Sequence, residues 1–430
     1  QGPRMIHAHF TIRVAFFSVL CLFSLIADSA PTQGIYVSTA GPVNRSMGGA
    51  STAAPVDALG SLYWNPATIS ALEDSEVDFS LDLLQINHKV SSSIGGFSGT
   101  TNGEPGVFPL PNVGWVFRPA DSLFTFGLAV NAIAGFKTNL PSDPTNPVLA
   151  PAPVGLGRVS SEANFLQLAP VVSVNLTSNM SFAIGPTITV GQIGIEPFVF
   201  DTPIANGAYS PGRASRYHWG GGIQAGVYYV PNCEWHFGAS VKSPTWMERF
   251  RFFGEDATGA PRVLHTEIEL PLIVSVGTGY TGFEDWLFAV DLRYFDYANT
   301  KGFGEPAIFD ATGKLQGLDW SSVFSLAAGV QRRLTQQILL RAGYTYNQNP
   351  VKNSEAFFNI ASPLIYQHMV SAGATLELTE KMDFNVAYSY LADISREGTV
   401  VLPGAGTIPG SSFTNNLSAH FLSIGISSRY

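Results

Sequence analysis

The sequence predicts an all-β membrane protein: an antiparallel transmembrane β-barrel of about 14 strands, with an N-terminal hatch (plug) segment in its lumen. Three observations predict this fold. The chain carries few charged residues, its apolar side chains alternate with polar ones in many short segments, and the connections between these segments alternate between short and long.

The composition indicates a surface that is not covered by water everywhere. Charged residues make up 13% of the 430 residues, whereas soluble proteins average roughly 25%. The 45% apolar content excludes intrinsic disorder, and the net charge of −9 gives no support for nucleic-acid binding. No apolar run of about 18 residues follows residue 30, so a chain that spans a membrane must use a closed barrel.

Residues 1–29 have the layout of a secretory signal peptide. Arg4 and Arg13 precede an apolar run over residues 14–27, and small residues follow that run. The run is shorter than the roughly 20 residues of a spanning helix, so we expect export and cleavage close to residue 29. The exported chain then holds one cysteine, Cys233, and no internal disulfide.

Residues 76–430 are predicted to form the barrel. Within one segment, Phe288, Val290 and Leu292 alternate with Asp291 and Arg293, so one face suits lipid and the other suits a lumen. The predicted strands are 76–90, 112–119, 122–136, 162–176, 180–195, 216–230, 234–248, 264–280, 286–297, 321–332, 337–347, 364–378, 381–392 and 417–430.

The connections after even-numbered strands are short, and those after odd-numbered strands are long and polar. This alternation is typical of bacterial outer-membrane barrels, which have tight periplasmic turns and longer outside loops. The last strand places Leu422, Ile424, Ile426 and Tyr430 on one face. An aromatic ending is typical of barrels passed to the outer-membrane barrel assembly machinery, although an ordinary final strand is the alternative.

Residues 30–75 contain no long alternating strand and are predicted to be the hatch. The block Met47-Gly48-Gly49 is followed by an apolar stretch and then by Asn65-Pro66-Ala67. This order resembles the hatch of the FadL/TodX-type outer-membrane transporters of long-chain fatty acids and hydrocarbons. The resemblance implies fourteen strands around the hatch, an outer-membrane location, and passive uptake of hydrophobic molecules. A short amphipathic helix on the periplasmic surface is the alternative.

Two inward-facing cations are candidates for a substrate site. A fatty acid needs an apolar tunnel and a cation for its carboxylate, because an unpaired buried anion is costly. Lys242 and Arg293 are expected near the middle of the lumen, counted from the short turns, and are the predicted carboxylate clamp. The alternative is that Arg293 pairs with Asp291 in a structural charge network. Arg341, nearer the periplasmic end, is expected to be structural.

An apolar substrate gains little by entering the aqueous periplasm, so exit sideways through the wall is attractive. Pro170 and Pro186 lie at equal distances from Ser178 in a short turn, so they should face each other in neighbouring strands. Neither has an N–H to donate, and the pair is therefore a possible lateral gate. In the family that the hatch resembles, a kink in the third strand forms this opening, which would here fall near residues 131–135. Two local bulges without a gate remain the alternative.

The outside loops are rich in phenylalanine, which suits either a first capture site for a greasy ligand or an aromatic girdle at the membrane interface. These residues are Phe108, Phe136, Phe198, Phe200, Phe252, Phe253, Phe303, Phe309, Phe357 and Phe358.

Three other functions compete with uptake. An enzyme is disfavoured because no Gly-x-Ser-x-Gly turn or zinc-spaced histidine pair occurs, so no catalytic residue, metal or cofactor is predicted. A general diffusion porin should have a more charged lumen, and a structural or secretion-associated barrel of the same superfamily stays open. The expected partners are hydrophobic small molecules, outer-membrane lipids and the assembly machinery, with no nucleic acid, and we expect a monomer.

Overall fold

In the computed structural model, which describes residues 33–256 and 258–430, fourteen antiparallel strands form one closed barrel. The predicted signal peptide lies outside the described residues. The first strand pairs with the last, and the sixth pairs with both of its neighbours, which leaves no free edge. The strands are β1 (Glu76–Ile94), β2 (Val107–Phe117), β3 (Phe124–Leu140), β4 (Val159–Thr177), β5 (Met180–Glu196), β6 (His218–Tyr229), β7 (Trp235–Lys242), β8 (Ile273–Tyr280), β9 (Trp286–Phe295), β10 (Val323–Arg333), β11 (Ile338–Asn347), β12 (His368–Thr379), β13 (Met382–Gly398) and β14 (Ser412–Arg429).

All fourteen predicted strands are present, and the largest error is at β8, which begins at Ile273 and not at residue 264. The ends of β7 and β13 are each missed by six residues, at Lys242 and Gly398. The predicted segments 234–248 and 264–280 were too long, because Pro244 and Pro271 lack the N–H that a continuous ladder needs. Between them the chain forms a separate hairpin of Phe250–Glu255 and Pro261–Thr266.

The alternation of apolar and polar residues places the two faces as predicted. Phe79 and Leu422 point outward and are 58% and 45% exposed, whereas Asp291 and Arg293 point inward and are fully buried. The turns after even-numbered strands are short, and the long loops gather at the opposite end. No helix among the described residues is long and apolar enough to cross a bilayer.

The long loops close the extracellular end with a packed apolar core. Phe198, Phe252, Phe303 and Phe357 are all 5% exposed or less. These four side chains are buried among the packed extracellular loops. Neither predicted role, a capture site or an interfacial girdle, therefore fits them. Phe253, on the outer side of the 250–266 hairpin, is 56% exposed.

The hatch lies inside the barrel, so the alternative of a helix on the periplasmic surface is wrong. It contains helix α1 (Gly41–Ser46), helix α2 (Ala58–Trp64) and a 3-10 helix (Pro66–Ala71). The carboxylate of Asp57 begins α2 by accepting a hydrogen bond from the Gly60 N–H at 3.0 Å. Every residue of α1 and α2 is buried.

Glycines allow the hatch and the wall to approach closely. A Cβ atom at Gly343 in β11 would overlap the backbone nitrogen of Gly48 in the hatch, and one at Gly329 in β10 would lie 2.5 Å from the Met47 carbonyl oxygen. Gly48 also has a φ of +64°, a conformation that side chains disfavour. The Met47-Gly48 block therefore fixes where the hatch rests on β10 and β11.

We expect Gly343→Ala to destabilise the protein by about 1–3 kcal/mol, because the added methyl group must displace hatch backbone. The measurement is the free energy of unfolding in a guanidinium titration in detergent micelles. Gly194→Ala in β5 is the control, because a Cβ there meets its nearest atom at 3.8 Å. Equal stability of the two variants would contradict the close docking of the hatch.

Candidate functional site

Two buried ion pairs hold the hatch to opposite sides of the barrel wall. On the β1 side, Arg45 Nη2 of α1 lies 2.8 Å from Asp82 Oδ2, and Asn112 of β2 donates a second hydrogen bond to the same oxygen at 3.2 Å. The Arg45 guanidinium also stacks 4.0 Å from the centre of the Phe421 ring. Both charges are buried and compensate each other inside the lumen.

The second ion pair lies within β9, and both of its members hydrogen-bond the hatch. Asp291 Oδ2 accepts the backbone N–H groups of Ser51 and Thr52, both at 2.9 Å, and lies 2.6 Å from Arg293 Nη2. Arg293 also donates to the Gly49 carbonyl oxygen. Arg293 was predicted to bind a substrate carboxylate, with pairing to Asp291 as the alternative. In the structure Arg293 is paired with Asp291 and bonded to the hatch, as in the alternative.

The hatch motif supplies a third anchor, on β6. Asn65 Nδ2 donates to the carbonyl oxygens of Thr52 at 2.8 Å and of Val227 at 3.0 Å, and its Oδ1 accepts the N–H of Ala67 at 3.1 Å. One side chain thus caps the 3-10 helix that begins at Pro66, ties two parts of the hatch together, and attaches them to the wall.

Lys242, the other predicted clamp cation, has a different environment. Its Nζ lies 4.6, 5.5 and 5.8 Å from the ring centres of the hatch residues Tyr63, Tyr36 and Trp64. Its hydrogen-bond partner is the Tyr36 hydroxyl at 3.2 Å, and the side chain is 7% exposed. Within the part of the chain that the structure describes, no carboxylate lies within 4.0 Å of this ammonium group. We call Tyr36, Tyr63 and Trp64 the aromatic cage.

The structure brings both predicted cations to the same place. The Arg293 guanidinium lies 3.6 Å from the centre of the Trp64 ring, which also belongs to the cage around Lys242. Cation–π attraction stabilises both groups, but only Lys242 lacks an anion. Lys242 is thus a buried basic group with no carboxylate partner among the residues that the structure describes.

An apolar cavity of about 50 Å³ adjoins the cage through Tyr36. The N-terminal segment 34–38 forms one side, and Leu84, Leu417 and Phe421 of the β1–β14 wall contribute to the others. Because Tyr36 lines this cavity and also binds Lys242, an apolar space and a buried cation meet at one side chain.

The third strand bulges on the other side of this segment. The register of β3 against β4 shifts between Ala132 and Ala134, and Ile133 turns inward. The Ile133 carbonyl oxygen accepts the N–H of Val37 at 2.8 Å, and Gly135 donates to the Ile35 carbonyl oxygen at 3.2 Å. The kink in the third strand therefore occurs within the predicted range 131–135, and the hatch pairs with it.

At the level of the bulge, β2 and β3 separate. Their ladder ends at the pair Asn112 and Asn131. Beyond this pair β2 stays bonded to β1, while β3 stays bonded to β4 and to the hatch. Pro109 and Pro111 have no N–H to offer across the gap. A cavity of about 360 Å³ occupies it, lined by both prolines and by Ala132 among others. We call this break the β2–β3 gap.

Pro170 and Pro186 face each other as predicted, in β4 and β5. Three consecutive pairs are missing from the ladder there, between the pairs Leu168–Ile188 and Val172–Ile184. However, Gly185 packs so closely that a Cβ on it would overlap the Pro170 carbonyl oxygen.

Behind these prolines, Ala169 and Val171 pack against Leu62 and Ile69 of the hatch. The two strands are unbonded at this level, but the space between them is filled and its inner side is covered. A gate at Pro170 and Pro186 stays a prediction.

A polar cavity of about 640 Å³ lies between the hatch and the periplasmic ends of the strands. Arg341 reaches it while donating to Gln331 and Thr375, both at 2.6 Å, which matches the expected structural role. Asp57 also lines this cavity, and burial, with a contribution from the charge of Asp78, raises the pKa of Asp57 well above its ordinary value.

Residues 21–430 match the family model described as outer membrane protein transport protein (OMPP1/FadL/TodX). The chain belongs to this family. Members transport hydrophobic substrates across the outer membrane, which places this barrel in the outer membrane. No curated protein matches the chain.

Solved structures agree with the family in fold. A FadL homologue from Pseudomonas aeruginosa is 14% identical with a TM-score of 0.70, over 92% of this chain and 99% of that one. The toluene transporter TodX from Pseudomonas putida is 15% identical with a TM-score of 0.68, over 93% and 100%. The toluene transporter TbuX from Ralstonia pickettii is 14% identical with a TM-score of 0.63, over 91% and 99%.

We expect Asp291→Asn to cost about 3–5 kcal/mol, because it leaves the buried Arg293 without a compensating charge. Guanidinium unfolding measures the loss, and proteolysis within residues 45–65 should accelerate as the hatch loosens. Glu377→Gln is the control, because its ion pair with Arg333 is partly exposed and should be worth about 1 kcal/mol or less. Equal effects of the two substitutions would show that Asp291 does not anchor the hatch.

Proposed function

We propose that this barrel takes up hydrophobic molecules with an acidic head, of which long-chain fatty acids are the type, by passive passage. The observation that carries the proposal is the uncompensated Lys242 ammonium group in the aromatic cage, next to an apolar cavity. No nucleotide-binding motif or energy-coupling segment is evident in the sequence, so a concentration gradient is the driving force.

The chemistry of Lys242 favours an anionic ligand. A buried ammonium group with one phenol as its hydrogen-bond partner is costly, and a carboxylate removes that cost by supplying the missing charge. Tyr36 separates the cation from the apolar cavity by a single ring, so a carboxylate at Lys242 leaves the attached hydrocarbon chain in apolar surroundings. Arg293 contributes positive potential, but its hydrogen bonds go to the hatch.

We further propose that the substrate leaves through the β2–β3 gap. The gap is a break in the ladder, its outer rim carries Pro109 and Pro111, and its inner side is covered by the hatch segment that also lines the apolar cavity. Passage straight down would lead into the polar periplasmic cavity, where Asp57 and Glu76 face the route. Apolar chains and carboxylates are both disfavoured there.

Neutral aromatic hydrocarbons are the second candidate substrate. The rings of Tyr36, Tyr63 and Trp64 favour it because they offer faces and edges to another ring. TodX and TbuX, both toluene transporters, share the fold. The two candidates differ in whether binding depends on the charge of Lys242.

Lys242→Met tests the first candidate. We expect affinity for oleate to fall at least about tenfold, because a charge-assisted bond worth roughly 1.5 kcal/mol or more is lost, while affinity for toluene stays unchanged. Isothermal titration of the detergent-solubilised protein measures both ligands.

The control for this experiment is Lys352→Met, which removes an exposed lysine whose partner is Asp319. If Lys242→Met binds oleate as tightly as the unsubstituted protein does, the carboxylate clamp is excluded. A parallel loss of oleate and toluene would indicate a purely apolar or structural role for this side chain.

A reversible cross-link tests the exit. In a Cys233→Ser background, Pro111→Cys and Ala132→Cys face each other just beyond the last β2–β3 pair. We expect the oxidised form to lose uptake of labelled oleate in proteoliposomes and to regain it on reduction, because a disulfide spans the gap.

The control for the cross-link is Pro170→Cys with Pro186→Cys, which closes the other unbonded region of the wall. Uptake that stops only in the control pair would move the gate to the β4–β5 prolines. Uptake unaffected by either disulfide would argue against lateral exit.

A further inference from the structure

The lipid-facing side of β11 and β12 carries a tyrosine–histidine pair outside the site described above. The Tyr344 hydroxyl lies 2.6 Å from His368 Nδ1, and the Tyr346 ring lies 5.4 Å from the same imidazole. These side chains alternate with the buried Arg341, Thr345 and Met369, so they point out of the barrel.

The next hairpin repeats this arrangement. The Tyr388 hydroxyl of β13 lies 2.7 Å from His420 Nδ1 of β14, and the Tyr390 ring lies 5.1 Å from that imidazole. Tyr388 is 48% exposed, and the neighbours of His420 along the strand, Ala419 and Phe421, are buried. A Tyr-x-Tyr segment on one strand and a histidine on the next thus occur twice, on consecutive hairpins.

Both pairs lie where the hydrocarbon-facing band ends on the extracellular side. On β14 the outward residues toward the periplasm are apolar, namely Leu422, Ile424 and Ile426. Those beyond His420, toward the loops, are Ser418 and Asn416. This boundary is the level at which outer-leaflet lipids present their head groups.

Each pair keeps one hydrogen-bond donor for which the described part of the chain supplies no acceptor. A neutral histidine has one N–H and a tyrosine has one O–H, and their mutual bond consumes one of the two. If the phenol donates to Nδ1, the remaining donor is the imidazole Nε2–H, and in the other tautomer it is the phenol O–H. At the head-group level this donor can bond a polar group of a lipid, whereas in hydrocarbon it would be left unpaired at a cost in free energy.

We propose that the outer face of β11–β14 is a binding surface for phosphate-bearing lipids of the outer leaflet, with one phosphate oxygen accepting the free donor of each Tyr–His pair. The patch is continuous with the lipid-facing surface of the barrel, so its occupant is a lipid. Hydrogen bonds to an ionised acceptor are roughly twice as strong as neutral ones, so phosphate is favoured over ester carbonyl or sugar hydroxyl groups. The flanking Tyr346 and Tyr390 rings hold each imidazole in place.

A quadruple variant tests the proposal: Tyr344→Phe, His368→Phe, Tyr388→Phe and His420→Phe. It keeps four aromatic rings at the interface and removes every polar atom of the two pairs. Native mass spectrometry of the full-length protein measures retention of phosphatidylglycerol and of a phosphate-free galactosyl diacylglycerol. Tyr294→Phe is the control, because this outward tyrosine bonds Asp296 and no histidine.

We expect the unsubstituted protein and the control to retain phosphatidylglycerol at least about tenfold better than the quadruple variant does. The galactolipid should be retained equally by all three proteins. Equal retention of phosphatidylglycerol by the variant, or equal retention of both lipids by the unsubstituted protein, would reduce the patch to a plain aromatic girdle and overturn the proposal. Oleate binding to the quadruple variant, which leaves the lumen intact, is expected to stay normal. The lipid result therefore stands apart from the proposed uptake function.

Discussion

The structure depends on one constraint: in hydrocarbon, every backbone N–H and C=O group must find its partner within the protein. A closed sheet of fourteen strands meets this requirement, but its lumen is too wide for wall side chains to fill. The hatch fills it, and both close packing at glycines and buried charges hold the hatch in place. Asp82 holds it on one side through Arg45, and Asp291 holds it on the other through Ser51 and Thr52.

The same constraint applies to the break between β2 and β3. Separating β2 from β3 leaves backbone groups unpaired, and two features reduce that loss. Pro109 and Pro111 have no N–H to leave unpaired, and the hatch pairs with the bulge of β3 through Val37 and Gly135. The hatch therefore both fills the lumen and completes the wall beside the gap, so the apolar cavity and the β2–β3 gap share one segment of chain.

The alternation of apolar and polar residues and the alternation of short and long connections were sufficient to predict the barrel. In each strand the apolar residues mark the face that meets lipid. They were insufficient at β7 and β8, where Pro244 and Pro271 end the ladder early. The positions of Pro170 and Pro186 followed from the register of a short turn. The bond of Asp291 to Ser51 did not, since it joins residues 240 positions apart and depends on how the hatch is seated. The bond of Arg293 to Gly49, the cage around Lys242 and the separation of β2 from β3 could not be predicted for the same reason, whereas the pairing of Arg293 with Asp291 could be.

The central claim is that an acidic hydrophobic molecule binds beside Tyr36 and Lys242 and leaves through the wall instead of through the hatch. The most direct measurement is a crystal structure with a long-chain fatty acid brominated at its methyl end, in which anomalous scattering locates the bromine. We expect bromine in the apolar cavity or the β2–β3 gap, with the carboxylate at Lys242. Bromine in the polar cavity between the hatch and the periplasmic strand ends would contradict it.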